Sequence, residues 1–186
     1  MDLMAKRKNQ AVSDHYQKNW SNAYEERQWS EGPMSKMENE FRVLEFPPNN
    51  HRKFWTYATS GMSFDGGPIE LHLFSKEPNE ANVELLTIVA HYHIYSKPLG
   101  LHHTVNIGRP WIPDSQCTYG FISLPYLDGP NLEKGIILDQ PTSFYWLIPI
   151  TKQERAHKVR HGVESLEDRF EQSNFDYLNP LRQSVV

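Results

Sequence analysis

The chain has 186 residues, of which 38% are hydrophobic, 12% aromatic and 23% charged. This size and composition are typical of one globular domain and exclude collagen-like, low-complexity and intrinsically disordered chains. The 19 basic and 23 acidic residues give a formal net charge of −4 at pH 7, so no overall positive field attracts nucleic-acid phosphates. No apolar run approaches the roughly 18 residues that a membrane helix needs.

The N-terminal residues and the cysteine content indicate the cellular compartment. Polar residues follow the basic residues 6–8, where a signal peptide would be apolar, and Cys117 is the single cysteine and cannot form an internal disulfide. We therefore expect a cytoplasmic protein that contacts neither a membrane nor, directly, a nucleic acid.

The first 32 residues predict a helical segment that stands before the main domain. Tyr16, Trp20 and Tyr24 are four residues apart, which places three aromatic rings on one face of a helix within residues 13–29. Such a face is typical of a docking helix. The Gly-Pro pair at residues 32–33 is expected to close the segment.

Residues 41–74 predict the first strands of a sheet. Residues 41–46 form a short apolar run that two prolines stop. Residues 54–59 are rich in aromatic and β-branched side chains, and residues 69–74 have one largely apolar face. Because glycine and proline lie between these two runs, we predict an antiparallel hairpin.

Residues 79–95 have two interpretations. The apolar residues 85–90 are consistent with a buried strand, but the whole stretch is long enough for a helix that Asn79 caps. We predict the helix. Its expected apolar stripe comprises Leu85, Leu86, Val89 and Tyr92.

The remaining elements complete an α+β pattern. Four apolar runs that are separated by turns with glycine or proline predict strands at residues 104–107, 119–124, 136–138 and 144–150. The run at 144–148 shows little alternation, as expected of a strand covered on both faces. Thr151 and Glu154 form a capping box that begins the last helix. Its predicted buried stripe comprises Ala156, Val159, Val163, Leu166 and Phe170.

These elements predict a single α+β domain, in which helices pack on a central, mostly antiparallel or mixed sheet. No internal repeat is evident, and no linker long enough to separate two domains.

Nine histidines make a metal site worth testing. His91 and His93 lie about 200° apart on a helix and could share a metal only if the segment were a strand. His157 and His161 are four residues apart, but no glutamate lies between them, and solvated imidazoles at a helix end explain them more simply. We predict no metal and no cofactor.

The chain contains no recognisable catalytic set. A Gly-x-Ser-x-Gly elbow, a Gly-x-Gly-x-x-Gly loop and a Walker motif are all missing from the sequence. Cys117 is expected to be a small core or edge residue of a strand. The sequence therefore favours a binding protein over an enzyme.

Six residues are candidates for contact with a partner. Trp111 lies in a proline-flanked segment and could serve as an interface anchor, although covering the edge of the sheet is the commoner role. His103 lies at a boundary between a loop and a strand. Acidic side chains on the last helix could steer a basic partner, although exposed charges on a helix more often contribute only to solubility. These are Glu164, Glu167, Asp168 and Glu171.

The order of several motifs resembles the suppressor of fused (SUFU) domain family. The resemblance is strongest at residues 144–170, where the aromatic strand is followed by the step Pro149-Ile150-Thr151, by Glu154 and then by Gly162 and Leu166. Residues 57–63 and 70–74 are similar to the family's first hairpin, and residues 176–182 to its tail. His103-Thr104-Val105 resembles a Gly-His-Thr stretch, with Leu101-His102 in place of the glycine. The resemblance covers residues 40–186 and leaves residues 1–32 outside it.

The resemblance implies binding without catalysis. Bacterial single-domain members are associated with polymorphic toxin systems, as immunity proteins or antitoxins against toxins that are often nucleases. The animal protein holds a transcription factor in the Hedgehog pathway. We therefore expect a bacterial immunity protein whose partner is a toxin domain. The alternatives are a general protein-interaction adaptor of the same family and a metal-dependent enzyme built on the histidines.

Overall fold

The computed structural model describes residues 3–20, 23–29, 31 and 41–186. The first elements are α1 (Leu3–Trp20), β1 (Glu25–Arg27), β2 (Arg42–Phe46), β3 (Trp55–Ser60) and β4 (Ile69–Ser75). The next are α2 (Glu80–Tyr95), β5 (Thr104–Asn106), β6 (Cys117–Ser123), α3 (Pro130–Glu133), β7 (Lys134–Ile137) and β8 (Gln140–Thr151). The last are α4 (Lys152–His161) and α5 (Val163–Ser173). None of these helices is long and apolar enough to cross a membrane.

The strands in the described ranges form one mixed sheet of eight strands. Its order is β1-β2-β3-β4-β8-β6-β5, and β7 pairs with the beginning of β8. Neighbouring strands are antiparallel except β4 and β8, which run parallel with Leu71 opposite Tyr145. The predicted α+β domain with a mixed sheet is confirmed, and so is the antiparallel hairpin of β3 and β4.

One face of the sheet packs against α2. Tyr145 and Leu147 of β8 belong to the same buried cluster as Leu85 and Val89 of the helix. Asn79 caps α2 as predicted, because its side chain accepts a hydrogen bond of 3.0 Å from the backbone N–H of Ala81. The stripe prediction is wrong only for Tyr92, which is 37% exposed because it lies on the side of α2 away from the sheet.

The other face of the sheet is divided between the two ends of the chain. Tyr16 and Trp20 of α1 pack with Phe144 of β8 in one buried cluster. Leu166 and Phe170 of α5 pack with Trp146, two residues further along β8, in another. Since successive side chains of a strand alternate between faces, β8 is covered on both sides, as predicted.

Helix α1 ends earlier in the chain than the sequence predicts. It ends at Trp20, and residues 25–27 form β1, which pairs with β2, so the prediction of a helix up to residue 29 is wrong. The rings of Tyr16 and Trp20 are stacked with centroids 4.6 Å apart, whereas Tyr24 lies beyond the helix. The predicted stop at residues 32–33 and the predicted domain start at residue 40 lie outside the described residues.

The prediction of one continuous C-terminal helix is also wrong. Gly162, at a φ of 92°, separates α4 from α5, in a backbone conformation that other residues rarely adopt. The break turns α4 away from the core, so Ala156 is exposed and Val159 is 68% exposed. Of the predicted stripe, Leu166 and Phe170 on α5 are buried, and Val163 at the start of α5 is half-buried against the same cluster.

A buried ion pair locks the C-terminal tail onto the start of α4. The predicted capping box is confirmed: the Thr151 hydroxyl accepts from the Glu154 N–H at 3.1 Å, and the Glu154 carboxylate accepts from the Thr151 N–H at 2.8 Å. The same carboxylate accepts from both terminal nitrogens of Arg182, at 2.5 and 3.0 Å, and from the Val185 N–H at 3.0 Å. Arg182 also donates to the Pro149 carbonyl at 2.9 Å.

Replacing Arg182 with alanine should therefore destabilise the fold strongly. Arg182→Ala leaves the buried Glu154 carboxylate without its cation, which typically costs about 3–5 kcal/mol. The free energy of unfolding in urea measures the loss. Lys76→Ala is the matched control, because it breaks the exposed Lys76–Asp176 pair and should cost less than about 1 kcal/mol. An equal loss of unfolding free energy in the two variants would show that the Arg182–Glu154 pair does not stabilise the fold more than an exposed pair.

Candidate binding groove

A groove opens on the face of the sheet that α1 and α5 share. Its volume is about 590 Å³. Trp146 and Ile148 of β8 and Ser123 of β6 line it from the sheet, and Tyr126 and Leu127 line it from the loop that follows β6. Helix α5 and the segment after it supply the remaining lining residues, which are Glu167, Asp168, Phe170, Glu171, Asn174, Phe175 and Tyr177. We call this site the binding groove.

The aromatic lining exists because the chain folds back after α5. Asn174 has left-handed backbone angles, and its N–H bonds to the Glu171 and Phe170 carbonyls, which ends the helix. Phe175 then stacks on Phe170 with ring centroids 4.3 Å apart. Tyr177 meets Trp146 edge to face at 5.4 Å. Rings from the sheet, the helix and the tail therefore line one concave surface.

Three carboxylates give the binding groove its charge. Glu167 is held by two hydroxyls: Ser123 donates to Oε1 at 2.8 Å, and Tyr126 donates to Oε2 at 3.1 Å. Burial, and after it the nearby Glu167 charge, raises the pKa of Tyr126. Asp168 and Glu171 are exposed. Within the ranges that the structure describes, none of the three carboxylates forms an ion pair with a basic side chain.

The loop after β6 is anchored from beneath by Asp128. Its carboxylate accepts a hydrogen bond of 2.9 Å from the indole N–H of Trp20 and forms a largely buried ion pair with Arg52. The Arg52 guanidinium in turn lies 5.0 Å from the ring centroid of Trp20 and 5.3 Å from that of Phe74. Helix α1 and the loop between β2 and β3 therefore hold the segment that carries Tyr126 and Leu127.

His72 lies beside this ion pair in a fully buried position. Its Nε2 is 3.7 Å from Asp128 Oδ2, and neither ring nitrogen has a hydrogen-bond partner among the described residues. Burial, together with the Arg52 charge, lowers the pKa of His72 to about 3, so the imidazole is neutral. Burial also raises the pKa of Asp128, against the opposing effect of Arg52.

Of the two roles considered for Trp111, the structure agrees with the commoner one, burial against the sheet, and not with an interface anchor. The side chain is 2% exposed and belongs to the main buried cluster, and its backbone N–H donates to the Cys117 carbonyl at 2.8 Å. This bond folds the proline-flanked loop back onto the sheet, where the large ring gains more from burial than from contact with water. Trp111 therefore does not present its ring to a partner.

Of the other five candidate partner residues, three line the binding groove and two lie outside it. Glu167, Asp168 and Glu171 line the binding groove. Glu164 is exposed on α5 but is not one of the lining residues, and His103 is exposed just before β5. Solvation, the commoner role of such residues, does not describe Glu167, which is half-buried and accepts hydrogen bonds from Ser123 and Tyr126.

The histidine pairs do not converge on a common site. His93 is buried, accepts from the Leu99 N–H at 2.8 Å and packs against Gly66, whereas His91 lies against Tyr95. His157 and His161 lie with ring centroids 4.6 Å apart, and His157 bonds to Ser165. In the described part of the chain, no group of three or more His, Cys, Asp or Glu residues is placed to hold a metal ion.

Sequence reasoning missed most of the apolar residues of the binding groove. The sequence predicts that Trp146 belongs to a buried strand, and its 4% exposure agrees. The pattern of the strand does not show that the layer covering Trp146 leaves a groove above it. The tail that contains Tyr177 is similar to the tail of the family, but nothing in its sequence indicates a binding site. No sequence pattern indicates a role for Tyr126. The Arg52–Asp128–His72 cluster joins residues that are 20 to 76 positions apart, so no local pattern indicates it.

Comparison with known families identifies the fold. Residues 38–183 match the family described as Suppressor of fused protein (SUFU). This chain belongs to the suppressor of fused family. The suppressor of fused fold is consistent with a protein-interaction domain. No curated protein sequence matches the chain.

Solved structures of suppressor of fused proteins are similar over nearly the whole chain. A crystal structure described as a SUFU homolog from Neisseria gonorrhoeae FA 1090 has 34% sequence identity and a TM-score of 0.84, covering 97% of this chain and 98% of that one. The Sufu–Fu complex structure has 13% identity and a TM-score of 0.67, covering 95% and 91%. Drosophila Suppressor of Fused has 14% identity and a TM-score of 0.67, and this chain spans 50% of its length.

The buried His72 should make the stability depend on pH. The folded state keeps it neutral down to about pH 3, whereas an unperturbed histidine takes up a proton near pH 6.5. The unfolded state therefore binds more protons between these values, and the free energy of unfolding should rise with pH by about 1.4 kcal/mol per unit from this group. His72→Leu should lower that slope by about the same amount in urea unfolding between about pH 4 and 6.

A second measurement reads the same group directly. The Cε1–H resonance of His72 in the folded protein should not titrate over that pH range. A resonance that titrates near pH 6, or an unchanged slope in His72→Leu, would show that the imidazole is not held neutral.

Proposed function

We propose that this chain is a bacterial, cytoplasmic immunity protein, which binds a cognate toxin domain through the binding groove and blocks it without catalysis. The observation that carries the proposal is that aromatic side chains lie beside the carboxylates of Glu167, Asp168 and Glu171, which form no ion pair with any residue that the structure describes. Aromatic residues that line a concave site supply contact area, and charges at its border supply orientation and specificity.

The charge of the binding groove suits a basic partner. A nuclease toxin needs positive charge to hold the phosphates of its substrate. Carboxylates that have no basic partner of their own attract such a surface and accelerate the encounter. The binding groove would then occupy the toxin in the region where its substrate binds.

The hydrogen bonding of the binding groove supports binding rather than chemistry. The hydroxyls of Ser123 and Tyr126 both donate to Glu167, which fixes the direction of this carboxylate. A group that is held in place before the partner arrives loses less conformational entropy when it binds. A recognition role needs such fixed groups and no activated nucleophile.

A general adaptor is the second candidate function. A protein of the same fold is seen with a protein partner in the Sufu–Fu complex. In that role the chain would bind a regulatory protein that is not toxic. The same groove would serve, so the nature of the partner separates the two functions.

Capture of the partner followed by a toxicity assay tests the proposal. The tagged full chain is used as bait in lysates of its own source cells, and captured proteins are identified by mass spectrometry. Each captured C-terminal domain is then expressed in a sensitive host, with and without this chain. We expect at least one domain that stops growth when alone and is neutralised by co-expression, with loss of its nuclease activity in vitro.

Variants of α5 show whether the binding groove is the surface that neutralises the toxin. The triple variant Glu167→Gln, Asp168→Asn and Glu171→Gln removes the three charges with little change of shape and should abolish the rescue. Glu164→Gln is the matched control, because it removes a charge from the same helix outside the groove. Captured partners that are not toxic, or toxicity that this chain does not relieve, would favour the adaptor.

A further inference from the structure

We infer that the binding groove recognises an arginine side chain of the protein partner, flanked by apolar residues. The inference rests on the proposed function only in taking the occupant to be a protein. Three features of the groove carry it: the free lone pairs of its carboxylates, the way this chain holds two arginines of its own, and the size and edge of the cavity.

The carboxylates can accept hydrogen bonds from a guanidinium group. Each oxygen of Glu167 accepts one hydroxyl proton, from Ser123 or Tyr126, and an ionised carboxylate has about four acceptor positions. Two positions therefore remain, on a side chain whose direction is already set. Asp168 and Glu171 have no hydrogen bond or ion pair that involves their side chains among the described residues, and both line the same groove.

Two arginines of the chain itself are each held by a carboxylate together with aromatic rings, which is the combination of groups that lines the groove. Arg182 pairs with Glu154 while its guanidinium lies 5.7 Å from the ring centroid of Phe170 and 5.1 Å from that of Phe175, two rings that also line the groove. Arg52 pairs with Asp128 over the rings of Trp20, Phe54 and Phe74. A planar guanidinium suits carboxylate and ring together better than the compact ammonium of lysine.

The size and the edge of the groove indicate a segment rather than a single side chain. A volume of about 590 Å³ lies within the range of sites that hold a small molecule or several side chains. Tyr126 and Leu127 at its edge are 58% and 48% exposed. Apolar residues on either side of the arginine would cover these two side chains.

A peptide titration tests this chemistry without the toxin. The probe is an acetylated and amidated pentapeptide, Gly-Leu-Arg-Leu-Gly, added to the ¹⁵N-labelled full chain and followed by NMR. We expect millimolar or tighter binding, with shifts at the groove residues of α5, the tail and the loop after β6. The citrulline peptide, which keeps the shape without the charge, should bind at least about tenfold more weakly, and the lysine peptide more weakly than the arginine peptide.

Two variants identify the groups that are responsible. Asp168→Asn with Glu171→Gln alters only exposed side chains and should weaken the arginine peptide at least about fivefold, while Glu164→Gln leaves it unchanged. Tyr177→Leu should weaken it through loss of a ring, and the spectrum of each variant shows whether it is folded. Equal binding of the citrulline or lysine peptide, shifts on another surface, or no shifts at about 10 mM peptide would overturn the inference.

The two proposals can fail separately. If no toxin is neutralised but the arginine peptide still binds in the groove, the proposed immunity function is overturned and the proposed arginine site is supported. If the chain neutralises a toxin while the groove does not prefer arginine, only the arginine site is overturned.

Discussion

The constraint on which the rest of this structure depends is the burial of β8 on both faces. The strand lies in the middle of the sheet, and its side chains from Phe144 to Ile150 are all buried. Apolar side chains on both faces require a covering layer on each side. Helix α2 supplies one layer. The other is shared by α1, which covers Phe144, and by α5 with the tail, which cover Trp146 and the residues beyond it.

The binding groove is the consequence of that sharing. Two separate ends of the chain cover one face, and the space between α5 and the loop after β6 is left open above Trp146 and Ile148. Buried polar pairs hold its borders: Asp128 with Arg52 and Trp20 beneath the loop, and Glu154 with Arg182 at the base of the tail. A buried ion pair contributes little net stability, but in some proteins such a pair selects one arrangement of the segments that it joins. We infer that these pairs keep the groove in one shape before a partner binds.

The negative charge of the groove determines which kind of partner surface it favours. Arg52 and Arg182 are already paired with Asp128 and Glu154, so their positive charge does not neutralise the carboxylates that line the groove. The chain carries a formal net charge of −4, and part of the excess is concentrated beside aromatic rings. This combination favours a basic protein surface as partner, which is the basis of the proposed immunity function and of the proposed arginine site.

The sequence by itself determined the elements that local chemistry specifies. Every strand except β1, the α2 cap at Asn79, the capping box of Thr151 and Glu154 and the family follow from spacing, turn residues and motifs. It also indicated three of the acidic groove residues through their place on one helix. Only the tertiary structure decided that Gly162 breaks this helix, that Trp111 is buried and that Trp146, Tyr126 and Tyr177 meet in one groove. Contacts between residues far apart in the chain decide these outcomes, and such contacts leave no periodic signal in the sequence.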